Sequence, residues 1–311
     1  MGGRRPKWTE GPSLTVVTVK SLFTTLGVLK GDRFGAIPLF DADAKTIKAM
    51  TPMLQRVVVV DPNAHSARFT GELMRNIARS QVWVAETNEK AIRMVGSYDP
   101  HIIFVEMAAG GVNGAAFTRE LRRSRLKCRY APVIMVTSQA TAAGILGARD
   151  AGVHEFLRKP FTIKDLLRRL EAVTLRQRDW VEAVGYIGPD RRRFNSGDYS
   201  GPLKRRSDAQ ATPDAARMAQ ALKILRSSIA AVDIDPEQAM RSMLVQASDL
   251  QKAGMAVADL KLTSAAIDFA RYLAEIEPRG APYDKEQLQL RAAPLLAYMP
   301  REDEQKTAYA A

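Results

Sequence analysis

The chain has 311 residues, 46% apolar and 26% charged, and carries a formal net charge of +12. That length holds more than one folded unit, and the composition is that of a globular protein, not a disordered, collagenous or disulfide-rich one. Its one cysteine, Cys128, excludes a disulfide framework and a thiolate metal site and points to a reducing cytoplasm, while no stretch reaches the roughly 18 uninterrupted apolar residues of a membrane span.

Residues 1–55 open with Arg4, Arg5 and Lys7 ahead of an apolar stretch from Leu14 to Leu29. Lys20 interrupts it and no small-residue cleavage site follows, so it does not read as a signal peptide. This region is expected to be a disordered extension or, because Met50 and Met53 directly precede the first strand, the result of a start assigned too early.

Regular alternation begins at Arg56. The β-branched run from Arg56 to Asp61 suits a strand buried on both faces. Ser66 to Arg79 places Phe69, Leu73, Met74 and Ile77 at helical spacing. Strands are then expected at Gln81–Ala85, Ile102–Met107, Pro132–Thr137 and Glu155–Leu157, with helices at Asn88–Ser97, Gly114–Arg125, Ala140–Ala151 and Ile163–Val173. Five strands alternating with five helices over residues 56–173 predict an α/β domain with a doubly wound, five-stranded parallel sheet. Ligands of such sheets bind at the carboxyl ends of the strands.

Those ends carry a distinctive set of residues. Asp61 closes the first strand, Glu106 the third and Thr137 the fourth, and Lys159-Pro160 follows the fifth, three positions after Phe156. With Gly114 after strand three and Gly152 before strand five, this order resembles the flavodoxin-like receiver domain of response regulators in two-component signalling. The resemblance implies a site in which two adjacent acids and an aspartate gather magnesium, and that aspartate takes a phosphoryl group from a histidine kinase. It further implies a switch built from Thr137, Phe156 and Lys159.

The sequence departs from that pattern at two positions. The acidic pair is Asp61-Pro62, and proline offers no ligand; the acceptor position holds Glu106, whose extra methylene carries the carboxylate about 1.5 Å further out. Phosphoryl transfer depends almost wholly on positioning and charge neutralisation, so ordinary phosphorylation at Glu106 is not expected and magnesium binding should be weak. Two readings stand. Glu106 reaches Thr137 and Lys159 as a permanent stand-in for the phosphorylated aspartate, or the site has decayed and the domain serves as a packing module.

No catalytic residue and no metal site are predicted: His65, His101 and His154 fall on separate connections without ligand spacing. Arg119, Arg122, Arg123, Arg125, Lys127 and Arg129 make a dense basic stretch, read first as a solvated face and second as a contact for an anionic partner. Residues 174–211 read as a Gly/Pro/Arg linker. Within it, Tyr186-Ile187-Gly188-Pro189-Asp190-Arg191-Arg192-Arg193 is echoed 13 residues later by Tyr199-Ser200-Gly201-Pro202-Leu203-Lys204-Arg205-Arg206. The two basic triplets, Arg191, Arg192, Arg193 and Lys204, Arg205, Arg206, are candidate anion-binding groups for a cyclic dinucleotide or a nucleic acid.

Residues 212–300 read as an all-α bundle, with a tail at 301–311. Thr212-Pro213-Asp214 and Asp235-Pro236-Glu237 are helix starts, and Gly254 is expected to stop the helix that begins at Pro236. The positive excess is +4 over residues 1–55, +7 over 56–173 and +3 over 174–208, whereas 209–311 sum to −2. A mildly acidic bundle without a basic recognition helix argues against DNA as its ligand, and without histidine it is no phosphotransfer bundle. The expected function is therefore a non-enzymatic signalling adaptor with a protein partner, a histidine kinase or a downstream target. The alternative is a cyclic-dinucleotide or nucleic-acid binder.

Overall fold

The computed structural model describes residues 41–191 and 213–299. Helix α1 (Asp41–Met50) and a 3-10 turn (Thr51–Leu54) lead into strand β1 (Arg56–Val60). Then follow α2 (Ala64–Ala78), β2 (Gln81–Ala85), α3 (Asn88–Tyr98), β3 (Ile102–Glu106), a short hairpin of β4 (Ala108–Ala109) and β5 (Val112–Asn113), and α4 (Gly114–Arg123). The domain continues with β6 (Val133–Thr137), α5 (Ala142–Asp150), β7 (Glu155–Arg158) and α6 (Ile163–Thr174). A second hairpin, β8 (Trp180–Glu182) and β9 (Ile187–Pro189), precedes helices α7 (Pro213–Ala230), α8 (Pro236–Ala256), α9 (Leu260–Ile276) and α10 (Lys285–Leu296).

Five strands form one parallel sheet in the order β2-β1-β3-β6-β7, the doubly wound topology expected. Its side chains alternate between two cores, as a period of two requires. Val57, Val59, Ile102, Phe104, Ile134 and Val136 point to the face covered by α2 and α6. Val58, Val60, Ile103, Val105, Val133 and Met135 point to the face covered by α3, α4 and α5. Helices α7 to α10 bury Leu222, Leu225, Met243, Phe269, Leu273 and Leu288 in a separate all-α core.

Three sequence expectations need correction. Residues 46–55 are no extension: Met50 and Leu54 are fully buried against the α2/α6 face, with Ile47 packed beside them. Nor is Gly254 a helix stop. Helix α8 runs on to Ala256, and a Cβ at Gly254 would lie 2.5 Å from Thr263 Oγ1, so the glycine serves the close crossing with α9.

The third correction concerns the supposed linker, of which residues 180–189 form a docked hairpin. Glu182 is buried, and its carboxylate accepts from Arg129 at 2.7 Å, from Trp180 Nε1 at 2.9 Å and from Gln238 Nε2 at 2.9 Å. Ile187 is buried as well, and Gly188 lies directly against Gly152, which has φ of +87°. A side chain on Gly152 would run into the Ile187 carbonyl, so this turn is glycine both for its backbone angle and for the hairpin that covers it. The readings placed on residues 1–40, on Arg192, Arg193, Lys204, Arg205 and Arg206, and on the tail at 301–311 lie outside the described residues.

Two outcomes follow for stability. Met50→Ala removes a fully buried side chain, and a denaturant titration should show a loss of roughly 2–5 kcal/mol; a loss near zero would return the segment to the role of an extension. Glu182→Ala leaves the Arg129 guanidinium buried without its carboxylate and should cost about 3–5 kcal/mol, with Glu182→Gln less damaging.

Candidate functional site

The carboxyl ends of β1, β3, β6 and β7 bring Asp61, Glu106, Thr137 and Lys159 to one edge of the sheet. Register does this: Val60 pairs with Val105, Glu106 with Val136, and Thr137 with Arg158, so each chemically active residue ends or follows its strand at one level. The Lys159 amide donates to the Thr137 carbonyl at 2.7 Å, fixing the start of the lysine.

At the centre is a three-membered ion cluster. Lys159 Nζ donates to Glu106 Oε2 at 2.6 Å and to Asp61 Oδ2 at 2.9 Å. The second oxygen of each carboxylate is taken by backbone: Glu106 Oε1 accepts from the Met107 amide at 2.9 Å, and Asp61 Oδ1 from the Asn63 amide at 2.8 Å. Both carboxylates are buried, whereas the Lys159 side chain keeps 23% of its surface open. Burial pulls the Lys159 pKa down, but the hydrogen bonds it donates to Glu106 and Asp61, with their negative charge, outweigh that and hold it above the ordinary 10.5.

The expected reach of Glu106 toward Thr137 is not what the structure holds. The longer side chain folds back onto the amide of the next residue, and the Thr137 hydroxyl accepts from the Gln139 amide at 3.1 Å instead. Phe156 is buried in the core beneath α3, α4 and α5. Pro62 sits under a hairpin that the sequence reading missed. Gly110 takes φ of +52° between β4 and β5, and a Cβ there would lie 3.1 Å from the Pro62 ring. Asn88 and Asn113 tie this hairpin to α3 by two reciprocal 3.1 Å bonds. Its one legible signal is Gly110-Gly111, a two-residue turn pair.

The basic stretch divides into two classes, and its reading as a solvated face fails for two of the six residues. Arg122 and Arg129 are buried. Arg122 donates to the carbonyls of Gly152, Arg129 and Ala131 and lies 5.2 Å from the Trp180 ring centre; burial pushes its pKa down to about 9. Arg119, Arg123, Arg125 and Lys127 are exposed, and two of them pair with the acidic start of α8: Arg123 with Asp235 at 2.5 Å and Arg125 with Glu237 at 2.9 Å. Arg191 stacks 4.4 Å from the Tyr186 ring and pairs with Asp150 at 3.0 Å. Tyr186 is itself buried and donates to the Pro189 carbonyl, so this ring is not available to a base. The histidines gather no site. His65 is exposed at the start of α2, while burial beside Arg122 and Arg178 holds His154 well below the usual imidazole range.

Comparison with known proteins agrees with this geometry: the family model of the response regulator receiver domain matches residues 57–171. This segment is a response regulator receiver domain. The chain is 25% identical to the chemotaxis protein CheY of Pseudomonas aeruginosa over 118 residues, 38% of this chain and 94% of that protein. It is 25% identical to the DNA-binding response regulator MtrA of Mycobacterium tuberculosis over 130 residues, 42% of this chain and 54% of that protein. Among solved structures, Vibrio cholerae CheY4 is similar with a TM-score of 0.36 and 19% identity, over 38% of this chain and 98% of that one.

The magnesium that receivers use does not fit the residues present. The ion needs near-octahedral oxygen donors, whereas this receiver offers Asp61 and Glu106, both already bound to the Lys159 ammonium, and a proline where a further acid would stand. No group of three or more His, Cys, Asp or Glu side chains among the described residues is arranged to hold a metal ion.

The cluster sets a pH window. Because the folded Lys159 holds its proton more tightly than an unfolded lysine at 10.5, its pairing stabilises fully below that value and is lost as pH rises through the folded value. Glu106→Ala should therefore cost on the order of 1–3 kcal/mol at neutral pH. Unfolding titrations across the alkaline range should show the gap to the natural protein closing above pH 10.5; a gap that stays constant would mean that the ammonium does not carry it.

Proposed function

We propose that this protein is a phosphorylation-independent signalling adaptor: an atypical receiver whose pocket keeps one charge state whatever the supply of phosphodonor, acting on protein partners of a two-component network in the cytoplasm. The observation that supports it most is the Lys159 ammonium held between Glu106 and Asp61, with every carboxylate oxygen already bonded. Glu106 takes the acceptor position, but its carboxylate is committed to Lys159 and to the chain's own backbone. Pro62 removes the second acid on which metal-assisted transfer relies. On this reading the domain has no catalytic residue and needs no cofactor, and Thr137, Phe156 and Lys159 keep the pocket's shape without a phosphorylation cycle. A histidine kinase or a downstream target is the class of partner.

The rival, a binder of cyclic dinucleotides or nucleic acid, draws less support. Of its candidate groups within the described residues, Arg122 and Arg129 are buried, Arg123, Arg125 and Arg191 are engaged by carboxylates of the same chain, and Arg119 and Lys127 are the exposed remainder.

Incubation with radiolabelled acetyl phosphate and magnesium tests the proposal. The natural protein and the Pro62→Asp or Glu106→Asp single variants should stay unlabelled, and only the double variant, which restores three carboxylates with Asp61, should acquire acid-labile label. Labelling of the natural protein at the level of the double variant would sink it.

A further inference from the structure

The seam between the receiver and the carboxy-terminal helices joins two oppositely charged helix ends. Helix α4 finishes in Arg122 and Arg123, with Arg125 two residues past its end, and α8 starts with Asp235 as its cap and Glu237 in its first turn, which suits both helix dipoles. Arg123 pairs with Asp235 and Arg125 with Glu237; one turn further on, Arg241 donates to the Arg123 carbonyl at 2.8 Å. Water reaches both pairs: Arg125 is 84% exposed and Glu237 57%, while Arg123 is 49% exposed and Asp235 28%. Exposed pairs of this kind are weak and screened by salt.

Beneath them lies Glu182, whose carbonyl accepts from Ser242 Oγ at 2.8 Å and Gln246 Nε2 at 3.1 Å. Lifting α8 away would leave no buried charge without a partner. Glu182 keeps Arg129 and Trp180; Glu237 keeps Arg241 at 2.5 Å; Asp235 keeps the Gln238 amide; Ser242 keeps Ser228 at 2.6 Å. Val184 packs on the helical core, and the hydrogen bonds and ion pairs across the seam are made by Ser, Gln, Asp, Glu and Arg, with Arg217 on Asp179 at 3.1 Å among them. Permanent interfaces are built from apolar surface, and polar ones between domains permit relative motion.

We infer that the acidic start of α8 is a releasable latch on the basic end of α4, and that release opens this surface to a partner protein presenting an acidic helix start of the same kind. The exposed groups that would then meet the partner are Arg119, Arg123, Arg125 and Lys127. The partner's chemistry is copied from the present occupant: a capping acid, a second acid two residues on, and a cation one turn later to reach the α4 carbonyls. This inference stands on the seam alone and is independent of the reading of the Glu106 pocket.

The full chain carrying Asp235→Lys and Glu237→Lys tests it, with solution X-ray scattering for the opening and fluorescence anisotropy for the binding. The probe is a labelled synthetic peptide of the natural sequence from Ile234 to Ala256. The variant should show a larger radius of gyration than the natural chain, and the natural chain should expand toward it as salt is raised. At low salt the variant should bind the peptide at least about 10-fold more tightly than the natural chain, whose surface is already occupied. Adding Arg123→Glu and Arg125→Glu to the same chain should restore the compact radius, which an unfolded variant would not do. An unchanged radius in the first variant, a failure of the four-fold charge swap to close it, or an opened chain that takes up a DNA duplex and not the peptide would each overturn the inference.

Discussion

Two buried guanidinium groups govern how this chain is assembled. Arg122 and Arg129 are buried, and a buried cation is tolerated only when its donors are met. Arg122 has no carboxylate among its hydrogen-bond partners; it is satisfied by carbonyl oxygens from the turn before β7 and from the segment after α4, with the Trp180 ring beside it. Arg129 finds Glu182. Arg129 depends on the β8–β9 hairpin for Glu182, and Arg122 gains the Trp180 ring from it. The hairpin therefore completes the receiver's interior, and it also holds the surface on which α8 rests.

The sheet edge that carries Asp61, Glu106 and Lys159 balances its charge differently. Two buried carboxylates share one ammonium, and the spare oxygens are met by amides of the same two loops. An aspartate in place of Glu106 would stop one methylene short, and the glutamate uses that length to turn back onto Met107. The same turn leaves Thr137 to bond Gln139. Longer reach has thus not produced contact with the threonine, because a neighbouring backbone amide competes for the carboxylate at lower conformational cost.

Much of this was legible in the sequence, and what was not follows a pattern. The five strands announced themselves as β-branched or apolar runs because both faces of each are buried, and the site residues because strand ends in this topology share one edge. Isolated positions were harder. Met50 and Leu54 gave no periodic signal, since one buried turn is too short to show one, yet they are as buried as β1. Residues 180–189 have the glycine, proline and charge of a linker, and the hairpin is decided by tertiary contacts that no local pattern reports: the Gly152–Gly188 approach and the Glu182–Arg129 pair. Charge density was legible on α4, but which arginines face inward was not, because burial there depends on carbonyls that lie 7 to 30 residues further along the chain.

Helix α4 links these regions mechanically. Its first residue, Gly114, lies so close to the strand that a Cβ would approach the Glu106 carbonyl to 2.5 Å, and its amide donates to the Met107 carbonyl at 2.9 Å. Its last turn carries Arg122 into the interior and Arg123 onto Asp235. Ten residues of helix span about 15 Å, and with Thr118, Phe117 and Leu121 buried the rod has no freedom to rotate without repacking the core. Helix α4 thus joins the strand end that carries Glu106 to the contact with α8.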